Sequence, residues 1–126
     1  MNLNQITLPT RDIAKSRQFY IKMGFELIVD ADHYLRFASK EGSATFSVIK
    51  VDEDFKNGSI IYFETPELDS LVLELKSKGF TFDQDPKDMD YLWREAILHD
   101  PAGNMIKLYW AGDNRVNPPW RVSVSA

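Results

Sequence analysis

Cysteine is missing from this sequence. Its absence excludes disulfide bonds, thiolate metal ligands and a cysteine nucleophile. Runs of lysine or arginine are missing as well, and the formal net charge is −4. Since binding to nucleic acid usually requires a clustered basic face, we expect no nucleic-acid partner.

Long apolar segments are also missing. The longest ones are far shorter than the roughly 20 residues that a membrane-spanning helix needs. Residues 1–5 lack the basic start and apolar stretch of a signal peptide. We therefore expect no membrane partner and a cytoplasmic location. The 126 residues, of which 44% are hydrophobic, fit one domain with a substantial core.

The first half of the chain is predicted to form a strand, a helix and three further strands. Residues 4–8 alternate polar and apolar side chains, which is typical of a half-buried strand. Capping residues at 10–12 then precede apolar residues at helical spacing, and Gly24 stands where a C-terminal cap is expected. Turn residues separate the three strands that follow, at 25–29, 34–38 and 44–49.

The second half repeats this order after a polar break. A strand at 59–64 precedes Thr65 and Pro66, which predict a helix start because proline is favoured at the first helical position. Gly79 is expected to end that helix. Three more strands are predicted at 80–82, 92–98 and 104–110.

One shift of 55 residues relates the two halves: it pairs Gly24 with Gly79 and Gln5 with Ile60. A single shift that aligns strand, helix and glycine favours a structural repeat over chance similarity within an unrelated α+β domain. The predicted fold class is α+β, built from two β-α-β-β-β modules in a single domain over 1–126. The predicted parts are module one at 1–50, module two at 58–110 and a C-terminal tail at 111–126.

Three sequence blocks carry a resemblance to a known family. They lie at 10–25, at 62–79 and at Asp100-Pro101-Ala102-Gly103-Asn104, a tight turn before the last strand. With these blocks the chain resembles the glyoxalase/bleomycin-resistance/extradiol-dioxygenase superfamily, also called vicinal oxygen chelate proteins. The resemblance implies a curved mixed sheet with helices on the outside and ligand chemistry on its concave face.

The resemblance also implies where a metal would bind, on the first and last strand of each module. The matching positions are Gln5, Ser47, Ile60 and Lys107. Ile60 has no donor atom, and the ammonium of Lys107 would repel a cation. We therefore expect no metal and no other cofactor. A pair of ligands from His33 and His99 would lie off these positions and is not favoured.

Strand parity predicts which residues share a face with these positions. Four pairs are expected to point into the core: Ile6 and Leu8, Phe46 and Val48, Ile61 and Phe63, and Ile106 and Leu108. Tyr34 and Arg36 are further candidates for the opposite face, and the orientation of 92–98 is ambiguous. The predicted ligand-binding residues are Gln5, Thr7, Ser47, Tyr62, Glu64, Trp93, Glu95, Lys107 and Tyr109.

Lys107 has several possible roles. Its ammonium could bind an anionic ligand, or act as a base or imine-forming amine if its pKa were depressed. The alternative is an ion pair with Glu64 or Glu95 and a head group in water. No catalytic residue is assigned, because nothing ties a serine to either histidine.

The function that the resemblance implies is binding of a small organic molecule in the concave sheet, as in bleomycin resistance, without the usual metal. One alternative is a lyase, isomerase or dioxygenase-related enzyme with a relocated or absent metal. Another is a non-catalytic dimeric interaction domain, in which the aromatic residues serve assembly. A homodimer is expected from the resemblance. The tail, with Trp120 and Val122, is expected to cover a partner subunit or the pocket mouth, or to pack on its own domain.

Overall fold

The computed structural model describes residues 1–123 and divides into two units. The first unit comprises Met1–Ser59 together with His99–Asn104. The second comprises Ile60–Leu98 together with the chain from Met105 onward. Neither helix is long and apolar enough to span a bilayer within the described chain.

The first unit is a four-stranded mixed sheet with one helix. Its strand order is β1-β4-β3-β2, in which β1 and β4 are parallel and the other pairs antiparallel. The helix α1 packs against β3 and β4. The elements are β1 (Gln5–Thr10), α1 (Ile13–Met23), β2 (Glu26–Asp30), β3 (Tyr34–Ala38) and β4 (Thr45–Lys50).

Both ends of α1 form as the sequence predicts. The Asp12 side chain accepts a hydrogen bond from the Lys15 amide at 3.1 Å and so caps the N-terminus. At the other end Gly24 adopts φ +113°, a left-handed conformation that glycine reaches without strain. The residues buried between these caps recur at helical spacing and include Tyr20, which is fully enclosed.

The Asp-Pro-x-Gly-Asn turn is held by its own side chains. Asp100 Oδ1 accepts hydrogen bonds from the amides of Ala102 and Asn104, both at 2.9 Å. Its Oδ2 accepts from the Tyr20 hydroxyl at 2.6 Å and from Asn104 Nδ2 at 2.8 Å. Asn104 Nδ2 also donates to the Pro9 carbonyl at 2.9 Å. The Asp100 carboxylate therefore organises the turn and joins it to α1, and Asn104 joins the turn to β1 within the first unit.

The second unit repeats the architecture of the first. Its sheet order is β5-β8-β7-β6, with β5 and β8 parallel, and α2 packs against β6 and β8. A short 3-10 helix, Gly112–Asn114, follows the last strand. The other elements are β5 (Ile60–Glu64), α2 (Leu68–Ser77), β6 (Gln84–Asp88), β7 (Arg94–His99) and β8 (Met105–Trp110).

The predicted α+β class and repeat are confirmed, because both sheets have the same order and the same parallel pair. Gln5 and Ile60 each begin the first strand of their unit. Gly24 and Gly79 both have positive φ. The strand registers pair Thr7 with Ser47 and Tyr62 with Lys107.

Two predicted elements are wrong. Residues 80–82 form no strand, because the Phe80 amide bonds back to the Leu75 carbonyl at the end of α2 and its ring is buried. The strand lies instead at β6, where the register shifts around Pro86. The start of α2 is also misplaced: Pro66 lies in a turn before the helix, in which Thr65 Oγ1 accepts a hydrogen bond from the Glu67 amide.

The predicted core pairs are largely confirmed. Phe63 is only partly buried, and Ile6 is 36% exposed because it lies near the beginning of a strand at one end of its sheet order. The remaining six are buried: Leu8, Phe46, Val48, Ile61, Ile106 and Leu108.

The contact between Tyr20 and Asp100 leads to a stability prediction. Tyr20→Phe removes a buried hydrogen bond to a carboxylate, so we expect a loss of about 2 kcal/mol in the free energy of unfolding at neutral pH. Burial raises the pKa of Tyr20, and the charge of Asp100 and its hydrogen bond with the phenol raise it further. A tyrosine in the unfolded chain ionises at about pH 10. The contribution of the Tyr20–Asp100 contact to stability is therefore lost as the pH rises above that value.

The measurement is urea unfolding of both proteins between pH 7 and pH 11. Wild-type stability should fall more steeply with pH above about 10 than that of Tyr20→Phe. Equal stability at neutral pH, or equal alkaline slopes, would contradict the role given to this contact.

Candidate functional site

The orientation of β7, which the sequence leaves ambiguous, is resolved in the second unit. Ala96 and Leu98 are fully buried, whereas Glu95 lies beside Lys107 of β8. Because successive side chains of a strand point to opposite faces, Glu95 belongs to the face that Lys107 occupies. Tyr62 is paired with Lys107 in the strand register, so it joins the same face.

Glu95 and Lys107 form an ion pair at the centre of this face. Lys107 Nζ lies 2.8 Å from Glu95 Oε2; the Lys107 side chain is 16% exposed and that of Glu95 is 1% exposed. No other group of the described chain partners this oxygen. The second carboxylate oxygen accepts a hydrogen bond from the Tyr91 hydroxyl. An enclosed carboxylate is thus compensated by one cation and one hydroxyl.

The protonation states follow from this contact. Hydrogen bonding to Glu95 raises the pKa of Lys107 and outweighs the opposing effect of burial. Burial, followed by the hydrogen bond to Glu95, raises the pKa of Tyr91. The predicted pairing of Lys107 with Glu95 is confirmed. The alternative of a depressed Lys107 pKa is wrong, because the carboxylate stabilises the ammonium form.

Four aromatic side chains form a cluster that contacts the ion pair through two of its members: Lys107 Nζ lies 5.7 Å from the ring centroid of Tyr62, and the Tyr91 hydroxyl is bonded to Glu95. The rings of Trp93 and Tyr109 stack with centroids 4.8 Å apart. Tyr62 meets both edge-on, at 6.0 Å from Trp93 and 5.5 Å from Tyr109, and Tyr91 meets Trp93 edge-on at 5.8 Å. Tyr62 is 42% exposed and Tyr91 39%, whereas Tyr109 is buried. The cluster therefore has a packed base and two accessible rings.

Glu64 serves the chain that follows β8. It accepts hydrogen bonds from the amides of Ala111 at 3.0 Å and Gly112 at 3.3 Å, and it lies 3.7 Å from Arg115 Nε. The Trp93 indole donates to the Asn114 carbonyl at 3.4 Å. The suggested pairing of Glu64 with Lys107 is therefore wrong, since Glu64 fixes the beginning of the tail.

The first unit has a polar cluster in place of the aromatic one. Gln5 Nε2 donates to Ser47 Oγ at 2.7 Å, and the Thr45 hydroxyl donates to Gln5 Oε1. Ser47 is hydrogen-bonded to the Tyr34 hydroxyl, which accepts from Arg36 Nε at 3.1 Å and Nη2 at 3.0 Å. Hydrogen bonds from Ser47 and then Arg36 lower the pKa of Tyr34.

Thr7 completes the list of candidate residues. It is exposed and pairs with Ser47 in the strand register of the first unit. Gln5 and Ser47 thus come together in one unit, and Tyr62, Trp93, Glu95, Lys107 and Tyr109 in the other. The single cup that the resemblance implies stays a prediction.

Tyr91 is not among the site residues predicted from the sequence. This residue lies in the loop before β7, where no strand period assigns a side chain to a face. Its neighbour Leu92 has φ +67°, an uncommon conformation for a residue with a side chain. The only sequence signal for including Tyr91 in the site is weak: it is a tyrosine in a turn, two residues before Trp93.

The residues at the metal positions do not fit a divalent cation. The amide oxygen of Gln5 already accepts from Thr45, and Ser47 Oγ is bonded to Gln5 and to the Tyr34 hydroxyl. Ile60 offers no donor atom, and Lys107 places an ammonium beside Glu95. Within the described chain, no group of three or more histidine or acidic residues is arranged to hold a metal. A metal needs several converging oxygen or nitrogen donors, which these positions do not supply.

The ion pair yields a second prediction. Lys107→Met should cost roughly 3 kcal/mol in the free energy of unfolding, because it leaves the Glu95 carboxylate enclosed without a cation. Adding Glu95→Gln should restore much of that loss, since the neutral amide removes the uncompensated charge. The measurement is a double-mutant cycle by denaturant unfolding, with both singles and the double.

The exposed pair of Lys76 and Asp85 in the same unit is the matched control. The cycle of Lys76→Met and Asp85→Asn should give a coupling below about 1 kcal/mol. Equal couplings for the two pairs would show that Glu95 and Lys107 behave as a solvated surface pair.

The comparisons with known proteins agree on the fold. The chain is similar to a glyoxalase/bleomycin resistance protein/dioxygenase from Nocardioides, at TM-score 0.78 and 16% identity, with 98% of this chain and 90% of that one covered. It is also similar to a lactoylglutathione lyase from Agrobacterium tumefaciens, at a TM-score of 0.74 and 14% identity, with 92% of this chain and 96% of that one covered. A bleomycin-binding protein in complex with bleomycin is similar at a TM-score of 0.70 and 17% identity, with 87% of this chain and 98% of that one covered.

Sequence comparison identifies the family. No curated protein matches the chain significantly. The family model of the Glyoxalase/Bleomycin resistance protein/Dioxygenase superfamily, however, matches residues 2–108, which is most of this chain. The chain therefore belongs to the glyoxalase/bleomycin resistance protein/dioxygenase superfamily.

Proposed function

We propose that this protein binds a small organic molecule with a planar, uncharged ring system on the open face of the second sheet. The observation that carries the proposal is the cluster of four aromatic side chains beside a compensated ion pair. Aromatic walls with a few fixed polar groups are typical of organic-ligand sites. Tyr62 and Tyr91 are the accessible rings on which such a ligand would pack.

The charges of the face favour a neutral ring system. The ammonium of Lys107 and the carboxylate of Glu95 cancel, and the raised pKa of Tyr91 keeps its phenol neutral. Lys107 is still 16% exposed, so its remaining N–H groups can donate to one ligand oxygen. The expected ligand is therefore aromatic or conjugated, with an oxygen acceptor that contacts Lys107.

Binding without catalysis is supported by the protonation states. A proton abstraction at this face needs a base, but the raised pKa of Lys107 keeps that amine protonated. Both oxygens of Glu95 already have partners, Tyr91 and Lys107. These contacts favour a binding protein over a lyase or isomerase that works through the same residues.

The absence of a metal is part of the proposal. It rests on the donor set: one engaged amide, one engaged hydroxyl, one aliphatic side chain and one paired ammonium occupy the four positions that the family uses. The solved structure of a bleomycin-binding protein, at 17% identity, supports only the view that this fold can hold an organic molecule.

A homodimer and a cytoplasmic location stay predictions. Apolar side chains near and within the tail are consistent with an assembly contact, since Trp110 is 43% and Trp120 56% exposed. Large exposed apolar residues that lie close together are typical of interaction surfaces.

The binding proposal is tested by calorimetric titration with catechol and bleomycin, which contain planar rings, and with S-lactoylglutathione, which contains none. We expect saturable binding of at least one of the two ring-containing probes, and a loss of tenfold or more in affinity for Trp93→Leu, because the stacked base of the site disappears. Trp110→Leu, which alters an exposed tryptophan on the face of β8 opposite Tyr109, is the control and should bind within twofold of wild type. If no probe binds and Trp93→Leu alters only the oligomeric state, the interaction-domain alternative replaces the proposal.

Elemental analysis of the purified protein tests the proposal that the site holds no metal. We expect well under one divalent metal per chain, and probe affinity unchanged by a chelator, because no donor set holds the ion. Close to one metal per chain, or conversion of a bound probe into product that stops with the chelator, would contradict the metal-free binding site.

A further inference from the structure

Arg36 differs from the other arginines of the first unit in its partners. Arg11 pairs with Asp54, and Arg17 pairs with Asp30 at 2.9 Å. The guanidinium of Arg36 has no carboxylate partner within the described chain, where its hydrogen bonds go to the Tyr34 hydroxyl. A half-buried guanidinium without a carboxylate partner keeps its charge and its remaining N–H donors available to a ligand.

The Arg36 side chain is held in place before any ligand arrives. Its Nε and Nη2 both donate hydrogen bonds to the phenol oxygen of Tyr34, and its Cζ lies 5.5 Å from the centroid of the Tyr34 ring. Tyr34 is anchored in turn by Ser47, which is fully buried and accepts from Gln5 Nε2. A guanidinium fixed in this way loses little conformational entropy when it binds a ligand.

The free donors of Arg36 have the geometry that oxyanions require. A guanidinium carries five N–H donors in a planar fork, and Tyr34 uses only the edge formed by Nε and Nη2. The edge formed by Nη1 and Nη2 remains, and two parallel N–H groups match the oxygens of a carboxylate or phosphate. The side chains bonded to one another around it, those of Gln5, Thr45 and Ser47, are uncharged.

We propose that Arg36 binds an oxyanion, the carboxylate or phosphate group of a small ligand, through its free guanidinium edge. Tyr34 acts as the positioning residue, because it fixes the plane of the guanidinium. The pKa of Tyr34 is lowered by its hydrogen bond with Ser47 and then by those from Arg36, which agrees with a phenol held between these two side chains. This inference is independent of the aromatic site in the second unit and can hold if that proposal fails.

The test uses inorganic phosphate and acetate as probes, titrated at constant ionic strength with sodium chloride as the balancing salt. The readout is the side-chain Nε–H resonance of each arginine by nuclear magnetic resonance. The Arg36 signal should move saturably with at least one probe. The signals of Arg11 and Arg17 should stay in place, because Asp54 and Asp30 already occupy them.

Variants separate a built site from general electrostatics. Arg36→Gln should weaken binding at least tenfold, and Arg36→Lys several-fold, because lysine keeps the charge but loses the fork. Arg11→Gln, with the same change of charge in the same unit, is the control and should bind within twofold of wild type. Tyr34→Phe should weaken binding a few-fold, since the guanidinium loses its anchor.

A second readout follows the phenol. Bound anion should raise the pKa of Tyr34 in the wild type, measured by ultraviolet absorbance of its ionisation, and leave it unchanged in Arg36→Gln. Tighter binding of phosphate would indicate a phosphorylated ligand, and tighter binding of acetate a carboxylate ligand. Shifts that never saturate, or equal losses in Arg36→Gln and Arg11→Gln, would overturn the proposal. If Arg36→Gln fails to fold, wild-type binding in Arg36→Lys overturns it equally.

Discussion

The carboxylate of Glu95 is almost completely enclosed in the second unit, and an enclosed carboxylate must be compensated by a cation and by hydrogen-bond donors. Lys107 on the neighbouring strand provides the cation, and Tyr91 from the preceding loop provides the hydroxyl. An ammonium committed to this carboxylate occupies a position where metal-dependent relatives would place a ligand. The contact that stabilises the strand pair thus also limits the chemistry of the face.

The aromatic side chains follow from the same constraint. Once the charges at the centre of the face cancel, the surrounding surface can be apolar without leaving a charge exposed to it. Trp93 and Tyr109 stack as the packed base, and Tyr62 stands edge-on with its ring accessible. Glu64 fixes the chain after β8 through two backbone amides, so this carboxylate is engaged outside the ion pair. In the first unit, by contrast, the uncharged side chains of Gln5, Ser47 and Tyr34 form a chain of hydrogen bonds that ends at the Arg36 guanidinium.

Much of the fold could be predicted from the sequence because it depends on local and periodic signals. Gly24 and Gly79 mark the ends of two helices, and the alternation in β8 places Ile106 in the core and Lys107 on the other face. The same alternation puts Tyr62 and Lys107 on one face, in agreement with their strand pairing, but it left the direction of Trp93 and Glu95 open. These predictions succeed since side-chain direction in a regular strand follows from position alone.

The missed features depend on contacts that no period describes. The strand β6 is polar and contains proline, so its sequence predicts a loop, yet it pairs with β7 through a shifted register. Tyr91 reaches Glu95 from a loop, next to a residue with positive φ. The raised pKa of Lys107 likewise requires the distance to Glu95, and a sequence gives no distances.

The state of the Lys107 ammonium tests the central claim most directly. Its nitrogen resonance can be followed by nuclear magnetic resonance from pH 6 to pH 12, with and without millimolar manganese. We expect a pKa above the ordinary lysine value of about 10.4 and a signal that manganese does not broaden. A lysine that titrates near neutral pH, or a signal that manganese selectively removes, would contradict a charge-compensated, metal-free face.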